Sequence, residues 1–305
     1  MSLRGYEMYF IDTLIFNIDQ KMSNLRQSIL IYRCQNLELD TTEPELEIPK
    51  VLLSSGTQLA CDSVPGRIQY CEGAFMPQEP WREPTAEESA LLWTKEPPPS
   101  YSGVAIVRLS ADILALFAAS GIASVTTPLQ VAELKNQEKC RQALDKLIEY
   151  FKPFCLSNSP PVISGMGGRQ PGLSTATIDH KRGCRNGLHT DNWDALPLAK
   201  KQESTNRICV NLGLDSRYFL FVNLTEMDIF KMLGCHDSDI NKPWTRQLTN
   251  EFMSRYPNYP VVKLRIAPGE AYIAPTENMI HDASTAQMKH LDIKVMMRGY
   301  YRIPV

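Results

Sequence analysis

Apolar residues along this chain change their spacing near residue 160. Before that point the regular stretches carry them three and four residues apart, the period of a helix with one buried face. Residues 12–30 show a mixed helical pattern, and the rest of the first hundred residues are irregular, broken by proline-rich stretches at 77–84 and 96–101. Between these, Thr85-Ala-Glu-Glu88 is a capping box that predicts a short helix through Trp93. Val104 to Leu109 reads as a strand. Ser110 then caps an apolar helix ending near Gly121, and Thr127-Pro128 opens the longest predicted helix, Leu129 to Lys152.

After residue 160 the apolar runs shorten and are separated by Gly, Pro, Asn and Asp, the texture of a β-rich fold. Predicted strands are Leu173 to Ile178, Asn186 to His189, Arg207 to Leu212, Tyr218 to Leu224, Val261 to Ile266, Ala271 to Ala274, Met279 to His281 and Leu291 to Tyr301. Helical inserts are predicted at Glu226 to Leu233 and Trp244 to Arg255. Helices followed by eight short strands predict an α+β, mainly β fold, a sandwich or barrel with helices packed outside it. The expectation is one domain, with 1–159 as helical and irregular support and 160–305 as the β core.

Composition narrows the function classes. Lys plus Arg number 32 against 34 for Asp plus Glu, so the chain has no basic footprint for a polyanion, and nucleic acid is not an expected partner. No apolar run reaches the length of a bilayer span. Asp12 interrupts the apolar stretch from Met8 to Phe16 and no small-residue cleavage site follows, so no signal peptide is expected. The eight cysteines contain no C-x-x-C pair, and most are read as reduced core residues of a cytosolic protein. The expected partner is a small molecule.

Five histidines are present, and two begin an H-x-D triplet, His189-Thr-Asp191 and His290-Leu-Asp292. Residues i and i+2 of a strand point to one side, so either triplet offers two ligands to a metal. A facial triad of two imidazoles and one carboxylate then needs a third ligand from elsewhere and leaves positions open for substrate and oxygen. His189-Thr-Asp191 closes a predicted strand, and His281 closes another farther along. His290-Leu-Asp292 has no histidine after it. The order favours His189, Asp191 and His281 as metal ligands; the competing reading makes His189 a strand-end residue and His281 a satisfied core histidine.

This arrangement resembles the Fe(II)/2-oxoglutarate-dependent oxygenases over roughly residues 160 to 301. In that family H-x-D/E closes the second strand of a double-stranded β-helix (a jelly-roll, cupin-like core) and a distal histidine closes the seventh. Ala267-Pro-Gly-Glu-Ala-Tyr-Ile-Ala-Pro275, leading to Asn278-Met-Ile-His281, is similar to the family's turn between the fifth and sixth strands. The resemblance implies Fe(II), 2-oxoglutarate as cosubstrate, O2, and hydroxylation of an unactivated C–H bond of a small molecule such as an amino acid or specialised metabolite. It also implies a basic residue on the last strand that grips the oxoacid. Strand alternation puts Asp292, Lys294, Met296, Arg298 and Tyr300 on one face. Arg298 is the first candidate because a guanidinium matches a carboxylate with two hydrogen bonds; Lys294 and Arg207 follow.

The polar, lysine-rich segment 192–206 leaves the carboxylate ligand directly and is placed to act as a lid, with Trp193 as an apolar wall or a core residue. Gly165-Met-Gly-Gly-Arg169 lacks the G-K-[ST] ending of a phosphate loop, so no nucleotide site is expected. Two other functions fit the same triplet: an iron oxidase that does not use 2-oxoglutarate, and a non-catalytic cupin-like binding protein.

Overall fold

A computed structural model describes residues 25–34, 50–61, 67–156, 160–236, 238, 240–241 and 246–304. The apolar stretch from Met8 to Phe16, most of the helical pattern at 12–30, and the start of the second helical insert at Trp244 lie outside the described residues. Four strands come first, β1 (Leu30–Arg33), β2 (Val51–Leu53), β3 (Gly56–Leu59) and β4 (Phe75–Gln78). Helix α1 (Ala86–Leu92) opens on the predicted capping box: Thr85 Oγ1 accepts from the Glu88 backbone N–H and the Glu88 carboxylate accepts from that of Thr85. Then come β5 (Trp93–Thr94), β6 (Gly103–Arg108), α2 (Ala111–Ala119), α3 (Pro128–Leu134) and α4 (Glu138–Phe151).

The long helix predicted from 129 to 152 is therefore two. Asn136 Nδ2 donates to the Ala132 carbonyl, and the backbone N–H groups of Asn136 and Gln137 turn back to Glu133 and Leu134. An asparagine side chain competing for backbone carbonyls ends a helix. The buried residues of α4, Cys140, Ala143, Leu147 and Phe151, are also out of phase with Val131 and Leu134 of α3.

The second half contains β7 (Val162–Arg169), β8 (Ile178–Asp179), β9 (Cys184–Arg185), β10 (Asn206–Asn211), β11 (Arg217–Thr225), α5 (Glu226–Leu233), α6 (Arg246–Arg255), β12 (Val262–Ile266), β13 (Glu270–Ala274), β14 (Met279–Ser284) and β15 (Asp292–Gly299). One sheet has the order β5-β1-β6-β13-β10-β15-β7 and a second the order β14-β11-β12-β2. A bridge between His189 and His281 adds the segment around His189 to the free edge of β14. From β7 onward the chain alternates between sheets as a double-stranded β-helix does: β7, β15, β10 and β13 in the larger sheet, and the His189 segment, β14, β11 and β12 in the smaller.

Two expectations change here. Residues 1–159 hold more than helical and irregular support, because β1, β5 and β6 extend the larger sheet and β2 the smaller. The first core strand is β7, not Leu173 to Ile178, of which only Ile178 is in a strand. Three glycines hide β7 from a reading by strand propensity. At Gly168 the small residue is needed for close packing: a Cβ would lie 2.8 Å from Leu291 Cδ2.

The alternation along β10 and β15 sorts the interior. Ile208, Val210, Ile293, Val295 and Met297 pack outward against Ile113 and Phe117 of α2 and Leu147 and Phe151 of α4. Burying each such side chain contributes roughly 1.5–3 kcal/mol. The opposite face, between the sheets, carries Arg207 and Cys209 on β10 and Asp292, Lys294 and Met296 on β15. Charged residues turned inward mark a cavity that needs polar walls. Cys71 and Cys184 form a disulfide across 113 residues, a pairing no local spacing signals, while the other six cysteines are free. Among the described residues no helix is long and apolar enough to cross a membrane.

Candidate metal centre

The backbone of His189 and that of His281 hold each other directly: each N–H donates to the other's carbonyl, at 3.1 and 2.8 Å. Cα partners on antiparallel strands present side chains to one face, which sets the two imidazoles 4.7 Å apart between ring centroids. Gly187 makes the approach to His189. Its φ of +68° and a Phe75 carbonyl 2.3 Å from where a Cβ would sit exclude any side chain. The Gly187 carbonyl lies 2.7 Å from His189 Nδ1, and the Met279 carbonyl 3.2 Å from His281 Nδ1. Both rings thus turn Nε2 towards Asp191, at 3.8 Å from Oδ1 for His189 and 3.7 Å from Oδ2 for His281. The Asp191 N–H donates to the Thr276 carbonyl, tying the third residue to the turn before β14.

One nitrogen or oxygen from each of His189, Asp191 and His281 lies within 4.8 Å of the others, and all three residues are buried. Burial disfavours charge on Asp191, but Arg207 and the two imidazoles outweigh it and hold the carboxyl below the usual range. Burial pushes His281 down to about 3, which leaves a neutral imidazole with its lone pair available. Behind His189, Asp282 Oδ1 accepts from Thr177 Oγ1 and the N–H groups of Ala176, Thr177 and Ala283, while Oδ2 stands 3.9 Å from His189 Nδ1.

The triad opens into a cavity of about 590 Å³. Arg207, Arg217 and Lys294 line it, together with Tyr272, Cys209 and Met296. Arg207 is committed to Asp191 Oδ2 at 2.5 Å, close in distance although not aligned as a hydrogen bond. Deeper in, Asp292 pairs with both Arg217 Nε at 3.1 Å and Lys294 Nζ at 3.0 Å. Two cations share one carboxylate, so this end of the cavity carries excess positive charge. Tyr272 stacks on Phe219 at 4.1 Å between centroids, which fixes the wall beside them.

Arg298, the first candidate for an oxoacid grip, does not line this cavity. It pairs with Asp194 and, at 3.2 Å, with Glu277, and its guanidinium lies 5.6 Å from the centre of the Trp193 ring. It shares the inward face with Lys294 as alternation requires, but it stands opposite Arg207 at the other end of β15. Trp193 is 69% exposed at the cavity mouth and is not a core residue.

The segment expected to be a lid is pinned. Glu277 accepts from the N–H groups of Trp193 and Asp194, and Asp194 accepts from Thr205. Lys201 is buried beside Glu226, Glu277 and Asn192. His290 is exposed on Asp215, and Asp292 serves the cation pair, so the second H-x-D triplet stays apart from the triad. Arg217 was missed because the predicted strand began one residue after it. Extending the i, i+2 pattern of Phe219 and Phe221 back by one step would have found it.

No family model matches this sequence, and no curated protein matches it. Among solved structures, a complex of the Kdo hydroxylase KdoO, a non-heme Fe(II) alphaketoglutarate dependent dioxygenase, with alphaketoglutarate and Fe(III) aligns over 66% of this chain and 81% of its own. The identity is 14% and the TM-score 0.36. The cobalt(II) complex of the same enzyme aligns over the same shares at 13% identity and a TM-score of 0.37. At that similarity no residue role or substrate passes from those proteins to this chain.

Proposed function

We propose that this chain is a mononuclear non-haem iron(II), 2-oxoglutarate-dependent oxygenase that oxidises a C–H bond of a small molecule. The observation that carries this reading is the convergence of His189, Asp191 and His281 on one point at the edge of a cavity whose far end has excess positive charge. The residues fit a metal: among the described residues, the buried His281 Nε2 has no hydrogen-bond partner. A bare ring nitrogen is costly to bury and is satisfied by coordination. Two imidazoles and one carboxylate with open positions suit Fe(II).

Bound there, iron(II) would supply the chemistry in which 2-oxoglutarate, O2 and substrate R–H become succinate, CO2 and R–OH. The chain's own residues do the rest. His189, Asp191 and His281 would hold the ion, and Arg207 orients Asp191. Lys294 and Arg217 take the place first considered for Arg298: their shared charge excess suits the far carboxylate of the dicarboxylate. Tyr272, Cys209 and Met296 supply the less polar wall beside the site.

Anaerobic reconstitution with Fe(II), followed by measurement of O2 uptake and succinate release, tests the reading. Uptake without any need for 2-oxoglutarate would make the protein an oxidase. Failure to bind metal would make it a binding protein.

A further inference from the structure

Arg169 ends β7 as the Cα partner of Asp292 and lines the same cavity, on the side of the β8–β9 hairpin. Among the described residues its guanidinium has no carboxylate within ion-pair distance. Its contacts are His180 Nε2 at 3.2 Å and the Gly168 carbonyl at 3.3 Å. Burial works against its charge, and the more distant Asp292 and Asp282 support it. Asp292 itself is taken by Arg217 and Lys294, and Asp282 Oδ1 by four donors. A partly buried cation with no carboxylate in direct contact, facing an open cavity, is poised for an anionic ligand.

The hairpin beside it adds one more cation, Lys181, and His180, whose Nε2 accepts from Arg169; both line the cavity. Asp179 lines this side as well, and its Oδ1 accepts from the N–H groups of Lys181 and Arg182 and closes the turn. The hairpin is held in position. Cys184 is bonded to Cys71, the Arg185 guanidinium lies 3.8 Å from the centre of the Tyr70 ring, and the Cys71 N–H donates to the Arg185 carbonyl while the Arg185 N–H donates to that of Gln69. Ile178 adds apolar surface on this side.

We propose that Arg169, with His180 and Lys181, forms a subsite for a carboxylate or phosphate carried by the molecule being oxidised, separate from the Lys294–Arg217 pair assigned to 2-oxoglutarate. A guanidinium at the hub suits this role because its fork meets two oxygens of one oxyanion. The substrate class is then an organic acid or phosphate ester whose apolar part lies against Ile178. This inference rests on the oxygenase reading of the cavity.

The test is calorimetric binding to protein loaded with Mn(II) and 2-oxoglutarate, using phenylacetate, phenyl phosphate and neutral phenylacetamide as probes. Uptake of Mn(II) and 2-oxoglutarate is measured first. If neither binds, the oxygenase reading fails, and the probe series on the metal-free protein still decides the anion subsite. At least one anion is expected to bind about tenfold or more tighter than the amide, the scale of one charge-assisted contact. Arg169→Gln should abolish that preference and leave 2-oxoglutarate affinity unchanged. Lys181→Gln, on the exposed turn where folding is not at stake, should weaken the preference about twofold to threefold. Wild-type protein that binds neither anion better than the amide overturns the proposal. So does an Arg169→Gln variant that keeps the preference, or one that instead loses 2-oxoglutarate.

Discussion

A guanidinium nitrogen of Arg207, on β10, lies 2.5 Å from Oδ2 of Asp191, in the segment that continues from His189. The pair joins the larger sheet to the candidate metal ligand that has no strand of its own. It also keeps a buried carboxyl ionised, since burial alone would favour its protonated form. Replacing Arg207 by Met relieves repulsion between the guanidinium and a dication, but it lets the carboxylate rotate and makes the metal compete with a proton. The second effect should win. Mn(II) affinity is expected to fall about 10–100-fold, the usual range for a residue that orients a ligand, with Arg207→Lys intermediate. A titration showing tighter binding in Arg207→Met would reverse this account.

His189→Ala, Asp191→Ala and His281→Ala should each lose bound iron while retaining the far-ultraviolet circular dichroism of the parent. His290→Ala should keep its metal, because that ring is exposed on Asp215. Metal content after anaerobic reconstitution checks all four. Asp292→Ala is a different case: it strands Arg217 and Lys294 without a counter-charge, which is expected to destabilise the fold by about 3–5 kcal/mol.

Lys294→Met should raise the KM for 2-oxoglutarate about tenfold to a hundredfold, as loss of a charged hydrogen bond does. Arg298→Leu should leave that KM nearly unchanged and lower the thermal midpoint, because Arg298 holds Asp194 and Glu277. Steady-state kinetics on the two variants decide between them. An effect on KM confined to Arg298→Leu would return the grip to that residue.

Burial pushes Glu226 up to about 7, with Lys201 and a Thr190 hydrogen bond opposing the rise and Glu277 adding to it. A carboxyl raised in the folded state binds more protons there than in the unfolded chain. Its contribution to stability is therefore full below the ordinary glutamate range, near pH 4.5, and is lost as pH rises through about 7. The metal-free protein should lose thermal stability across that interval. Glu226→Gln should flatten this part of the profile, and a profile unchanged by the substitution would place the titration elsewhere.

The sequence by itself determined the elements whose signal is local. The capping box at Thr85, the alternation of β10 and β15, and the paired turn residues around β13 need only neighbours a few positions away. The H-x-D triplet and the distal histidine were legible for the same reason, since i and i+2 on a strand share a face in any strand. Tertiary structure decided what depends on distant partners. Asp191 meets Arg207 across sixteen residues, Asp292 meets Arg217 across seventy-five, and Cys71 meets Cys184 across 113. Arg298 and Lys294 share a face of one strand, and alternation cannot tell them apart. What separates them is which carboxylates the fold brings to each: Asp194 and Glu277 occupy Arg298, whereas Lys294 divides Asp292 with Arg217 and remains at the cavity wall. β7 is hidden because its glycines carry no propensity signal, and of the three only Gly168 is crowded, by Leu291 packing against it.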